Sequence, residues 1–299
     1  MISRLVTLQE VPFLKSSQDV GDTLLVIRSH LSALTKAEAI VAEYVLTHAN
    51  DVIYLSVTEL AEQADVGETT VLRFCRKLGF HGFQDFKLSL AQDLVQPVTH
   101  TYEEVTNDDS AQILAEKIVT SHISILEETL KLVQPEKLER AIDLLVQAET
   151  IQFYGVGSSG LTALQASHSF TRIGKKCDAK SDTHFQAMSA SLLTEKDLAV
   201  GISISGSTKD TIENLRLAKE AGASIICITH NARSPITKLA DVDLLMAARE
   251  NPLQGSSLSA KISQLAVIDM LYAGVTIRQR EIARKFREKT ARAVSEKLY

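Results

Sequence analysis

The sequence predicts two domains of different class. An all-α domain over residues 20–96 is followed, after a linker at 97–110, by an α/β domain over residues 111–299. The second domain should hold a parallel sheet between about 150 and 276, with helices on both faces. Three observations carry this. Apolar residues from Asp22 to Leu94 recur at helical spacing. From Thr150 onward, short β-branched runs alternate with helical stretches, the rhythm of βαβ units. Between the two, Gln96 to Ser110 loses all period and collects the acids Glu103, Glu104, Asp108 and Asp109. A length of 299 residues suits two cores better than one.

In the first domain, Ile40, Val41, Tyr44 and Val45 share one helical face, and so do Val57, Leu60, Ala61 and Ala64. Two capping boxes announce helix starts: Thr35 with Glu38, and Ser56 with Glu59. After the linker, Ala111 to Val133 reads as a long amphipathic helix stopped by Pro135, with another helix from Glu136 to Gln147. Strands are predicted at Ile151–Tyr154, near Lys176–Ala179, and at Leu198–Ser203, Ser224–Thr229 and Asp243–Met246. Helices should run from the Gly155–Ser159 turn to about Ile173, around Phe185–Leu193, and over Lys209–Ala221. A last helical stretch starts near Ser257 and is expected to break near Gly274.

Composition narrows the function classes. A hydrophobic share of 45% with 23% charged residues is that of a soluble globular chain. With no Trp and 5% aromatic residues, a large aromatic-lined cofactor pocket is not expected, and no cofactor is assigned. The net charge of −5 argues against a wholly basic nucleic-acid binder while leaving room for a local basic patch. Three scattered cysteines, Cys75, Cys177 and Cys227, suit a reducing compartment. Met1 to Gln18 lacks the apolar core of a signal peptide, and no run approaches bilayer length, so a cytoplasmic protein without a membrane partner is expected. No metal-ligand spacing appears among the eight histidines.

Ser56 to Gly79 reads as two helices joined by the turn Asp65-Val66-Gly67. In the second, Val71, Leu72, Cys75 and Leu78 form the inward stripe, so Thr69, Thr70, Arg73, Arg76 and Lys77 should face outward. Short hydroxyl residues near the N-terminus and long basic residues along the exposed face are what a major-groove helix needs. Solvated charge on an ordinary helix pair accounts equally well for the spacing alone.

A second constellation lies at two strand-to-helix turns. One is Ser203-Ile204-Ser205-Gly206-Ser207-Thr208, and the other is Gly155-Val156-Gly157-Ser158-Ser159. A helix start offers unpaired N–H groups and a positive dipole end, and the hydroxyls add donors, so an anion such as phosphate fits there. In a parallel sheet both turns fall at the carboxyl edge, where ligands bind. The glycine turn lacks the third glycine of a dinucleotide fingerprint, so NAD is not expected.

At these residues the chain resembles known families. Residues Leu24 to Leu94 resemble the helix-turn-helix domain of RpiR-type bacterial transcriptional regulators, on the run Ala64 to Phe74. Residues Thr150 to Thr276 resemble the SIS (sugar isomerase) domain, on Gly157-Ser158-Ser159 and on Ser203 to Thr211. Two positions depart from the family pattern: Gly67 stands where Ser is common before the recognition helix, and Ser207 where sugar isomerases often carry Glu. The resemblance implies a repressor of sugar or amino-sugar metabolism genes, bound to double-stranded operator DNA as a homodimer or homotetramer and controlled by a phosphorylated sugar. It assigns the effector to Gly157, Ser158, Ser159, Ser203, Ser205, Gly206, Ser207, Thr208, Ser256 and Ser257. The alternative is a sugar-phosphate isomerase or etherase with an appended DNA-binding domain. Isomerases of this type commonly carry a Glu base at the start of the last SIS helix, and Gly255 to Gln264 holds no carboxylate. A sensor is therefore preferred to an enzyme, and no catalytic residue is assigned.

Overall fold

The computed structural model describes residues 23–94, 106, 108–248, 258–295 and 297. Most of the expected linker and the candidate effector residues Ser256 and Ser257 lie outside them.

The first domain is helical: α1 (Thr23–His30), a short 3-10 turn (Leu31–Ala33), α2 (Lys36–Thr47), α3 (Ala49–Val52), α4 (Val57–Gln63), α5 (Glu68–Lys77) and α6 (Phe83–Leu94). Both expected capping boxes form. Thr35 Oγ1 accepts from the Glu38 N–H while the Glu38 carboxylate accepts from the Thr35 N–H, and Ser56 and Glu59 do the same for α4. The core joins Ile27, Val41, Val45, Leu60, Val71 and Phe74, with Phe74 edge-on to Phe86 at 5.6 Å between ring centroids.

The second domain opens with α7 (Ala111–Leu132) and α8 (Pro135–Gln147). Pro135 occupies the first turn of α8, where its missing N–H is no loss. Then follow β1 (Ile151–Tyr154), α9 (Ser158–Arg172), β2 (Cys177–Asp178), α10 (Thr183–Ala190), β3 (Leu198–Ile202), α11 (Lys209–Glu220), β4 (Ser224–Thr229), β5 (Val242–Leu245), α12 (Leu258–Arg278) and α13 (Arg280–Ser295). Among the described residues the strands form one parallel sheet in the order β2-β1-β3-β4-β5. Alternate strand residues feed two cores. Ile151, Phe153, Leu198, Val200, Ile226 and Ile228 pack towards α8, α9 and α12. Tyr154, Ala199, Ile225 and Cys227 pack towards α10 and α11. Gly201 faces α11 so closely that a Cβ would lie 2.5 Å from the Leu215 side chain.

Two expectations need correction. The last helical stretch breaks at Gln279, between α12 and α13, not near Gly274. Gly274 is needed for packing instead: a Cβ there would meet Ile142 Cδ1 of α8 at 2.3 Å. Also, α12 is long and apolar enough by length and composition to cross a bilayer. It nevertheless carries Lys261, Gln264 and Asp269, and buries Ala260, Val267, Ile268 and Leu271 in the core of this domain.

Candidate functional site

The chain order places β1 and β3 side by side while their following strands, β2 and β4, lie on opposite sides. The crevice past β1 and β3 is therefore the switch point of the sheet. The register Tyr154↔Gly201 sets the two predicted turns next to each other at that edge.

Each turn opens a helix that receives no side-chain cap. The N-cap of α9 is Gly157, at φ 60°, and the N-cap of α11 is Thr208. Neither N-cap side chain accepts from the first-turn N–H groups, which leaves the donor set an anion requires. Thr208 Oγ1 and Ser203 Oγ are paired at 3.0 Å, and Ser203 Oγ also accepts from the Gly206 N–H at 3.1 Å. Ser205 Oγ accepts from the Ser207 N–H at 3.3 Å, and Ser207 Oγ donates to the Ser205 carbonyl at the same distance.

Burial sorts the predicted residues. Ser205, Ser207, Thr208 and Ser158 are half-buried at the crevice, and Gly157 is exposed. Ser203 and Ser159 are 1% and 8% exposed and are already bonded within the protein, so they brace the turns. Ser159 Oγ accepts from Gln264 Nε2 at 2.9 Å, and Thr162 Oγ1 donates to Gln264 Oε1 at 2.7 Å, tying α9 to α12. Lys261 Nζ donates to the Ser158 carbonyl at 3.0 Å, and burial lowers its pKa below the ordinary lysine value.

Sequence reasoning passed over the residues behind the turns. Gln186 Nε2 donates to the Gly155 carbonyl at 3.0 Å, and Asn214 Nδ2 donates to Gln186 Oε1 at 2.8 Å. Thr229 Oγ1 donates to the Ile204 carbonyl at 3.0 Å and Asn231 Nδ2 to the Ser205 carbonyl at 3.1 Å. Buried amides inside helical and strand patterns were the available signal, because such groups must find partners. No group of three or more His, Cys, Asp or Glu residues among those described is arranged to hold a metal.

On α5, Thr69, Arg73 and Arg76 are exposed. Thr70 departs from the expected pattern: it is 7% exposed and faces the domain interior, in a stripe that includes Val71, Phe74 and Cys75. Phe74, next to Arg73 in sequence, holds the inward position that the sequence reading left out. Lys77 donates to Glu38 at 2.9 Å, so its charge is partly spent inside the domain. The three thiols are unpaired, and burial raises the pKa of each, that of Cys75 to about 12.

A helix-turn-helix domain followed by a doubly wound α/β domain is the build of a two-domain transcriptional regulator. Residues 21–97 match the helix-turn-helix domain of the rpiR family, and residues 144–274 match the SIS domain. An uncharacterised HTH-type transcriptional regulator of Haemophilus influenzae is 37% identical over 280 residues, covering 92% of this chain and 97% of its own. HexR of Pseudomonas aeruginosa, an HTH-type transcriptional regulator, is 37% identical over 253 residues, 85% of this chain and 88% of its own. The solved structure of Vibrio vulnificus NanR complexed with ManNAc-6P superposes with a TM-score of 0.82 at 31% identity, over 93% of this chain and 99% of that one. The chain therefore belongs to the rpiR family of helix-turn-helix transcriptional regulators.

Proposed function

We propose that this regulator is a repressor of sugar or amino-sugar metabolism genes, and that a phosphorylated sugar at the crevice past β1 and β3 sets its affinity for operator DNA. The observation that carries this is the pair of adjacent helix starts, at Gly157 and Thr208, with no side-chain cap. Ser205, Ser207 and Thr208 are the direct phosphate donors, with Ser158 and the Gly157 turn opposite. Ser203 and Ser159 hold the two turns in shape; Ser256 and Ser257, outside the described residues, are proposed as further effector contacts on the family resemblance alone. That NanR was solved with ManNAc-6P supports a phosphorylated amino sugar as one effector class.

Thr69, Arg73 and Arg76 of α5 read and grip the duplex, with Lys77 in a smaller role. Two-fold pairing of such domains requires an oligomer. The apolar side chains that α7 leaves exposed, among them Val119, Ile123 and Leu130, support a homodimer or homotetramer. Binding operator DNA places its work in the cytoplasm. The isomerase reading loses support because α12 begins Leu258-Ser259-Ala260-Lys261 without a carboxylate to move a proton.

Thermal unfolding against a panel of sugar phosphates tests the pocket. At least one should raise the melting temperature and shift operator binding. Turnover of any of them at about one per second or faster would instead mark an enzyme.

A further inference from the structure

The loop after β4, residues 230–238, touches both the anion turn and the helix-turn-helix domain. On the domain side, Ser56 Oγ donates to the Arg233 carbonyl at 2.5 Å, the Arg233 guanidinium pairs with Glu62 at 2.5 Å, and Lys238 pairs with Glu68. Thr58 Oγ1 adds a bond to the same Glu68 carboxylate at 2.6 Å. On the turn side, the His230 N–H donates to the Ile204 carbonyl at 3.0 Å, Asn231 Nδ2 to the Ser205 carbonyl at 3.1 Å, and the Ile236 N–H to the Gly206 carbonyl at 3.0 Å. There is no slack between them: a Cβ on Gly206 would fall 2.2 Å from Ser234 Oγ.

Two of the three positions gripped, Ser56 and Glu68, are at the N-terminal ends of α4 and α5, while Glu62 lies in the last turn of α4. Ser56 is the N-cap of α4, and Glu68 is the first residue of α5. Helix-turn-helix proteins place these two ends against the duplex: the recognition helix enters the groove by its N-terminal residues, and the preceding helix crosses the backbone. We propose that the 230–238 loop is an intramolecular clasp that occupies the DNA-facing ends of α4 and α5 and holds the helix-turn-helix domain in a low-affinity arrangement.

The chemistry suits a switch. Burial pushes the Glu68 carboxyl up, but the hydrogen bonds from Lys238 and Thr58 and the nearby ammonium charge outweigh it and keep it below the ordinary carboxylate value. The ion pairs are still largely exposed, so each is worth only a few-fold in an equilibrium. A clasp that weak can be released by a ligand with modest preference for one arrangement. The link from the clasp to the effector rests on the phosphate-pocket reading above; the clasp itself does not.

The test uses the full chain carrying Arg233→Ala with Lys238→Ala, and a duplex selected by the wild-type chain from a randomised pool. Without any sugar phosphate, the variant should bind this duplex about 3- to 10-fold more tightly. Amides over residues 56–70 should exchange hydrogen faster than in the wild type, while Lys238→Arg should retain wild-type behaviour in both measurements. Weaker or equal DNA binding would overturn the proposal, the first by making Arg233 and Lys238 DNA contacts. Unchanged exchange over 56–70 would overturn it as well. Should no sugar phosphate stabilise the wild type, the pocket reading fails while these two readouts still decide the clasp.

Discussion

Two helix starts in the first domain and two in the second are built in opposite ways. In the first, α2 and α4 are closed by their own side chains, Thr35 with Glu38 and Ser56 with Glu59, each pair exchanging bonds with the backbone. In the second, α9 and α11 begin at Gly157 and Thr208 and receive no side-chain bond. The contrast does not come from the domain as a whole: α10, in the same α/β layer, is capped by Asp182, which accepts from the Phe185 N–H at 3.0 Å. The starts of α3, α5 and α8 also lack a side-chain cap, but α9 and α11 alone among these open directly after the switch-point strands, where their unsatisfied donors suit an incoming anion.

The largest effect should come from stripping the open start. Ser205→Ala with Thr208→Ala removes two hydroxyls that would bond a charged phosphate, each worth about 1.5–3 kcal/mol. Effector affinity should fall by about 100-fold or more, read by calorimetry, with operator binding in the absence of effector unchanged. A retained response would mean that the phosphate sits elsewhere. The same contrast between open and closed groups runs along α5. Arg73 is exposed, so Arg73→Ala should cost about 1–3 kcal/mol in operator binding and relax base preference at one position. Lys77 is closed onto Glu38, so Lys77→Ala should cost less than about 1 kcal/mol in the same assay. Equal losses would erase the distinction.

The closed starts were legible in the sequence because a capping box is local: four consecutive residues contain both partners, as at Thr35–Glu38. The alternating strands were legible for the same reason, while their order in the sheet and their register were not. The open starts were half legible. Ser203 to Thr208 announced an anion turn, but which hydroxyls brace it and which face the crevice depends on partners far away in sequence. Ser159 is turned inward by Gln264, 105 residues on, and Ser205 is held from behind by Asn231. Thr70 was misjudged for a related reason. Its neighbour Phe74 claims the inward arc of α5 together with Val71, and that rotates Thr70 into the interior. The clasp was not legible at all, since Ser56 and Arg233 stand 177 residues apart.

Intermediate effects should come from opening a closed start. Thr35→Ala should cost about 1 kcal/mol of stability, measured by denaturant unfolding, and leave the effector response alone. Ser56→Ala should cost somewhat more, because the same hydroxyl also donates to the Arg233 carbonyl across the domains. If the two losses were equal, the interdomain bond would contribute nothing beyond the cap.

The smallest effect should come from titrating a closed start. The Thr35 N–H, and then the Lys77 ammonium, hold the Glu38 carboxyl below its ordinary value of 4.5. A depressed folded-state pKa means that the stabilisation is fully present above the unfolded value and is lost as pH falls through the folded one. Stability should therefore decline on acidification below about pH 4.5, and Glu38→Gln should flatten that decline. Glutamine keeps the bond to the Thr35 N–H, so at neutral pH the variant should lose less than Thr35→Ala does. The open start of α9 has no acidic residue in its first turn. Its effector response should be insensitive to Glu38→Gln, and a coupled change would mean that the two kinds of helix start are not independent.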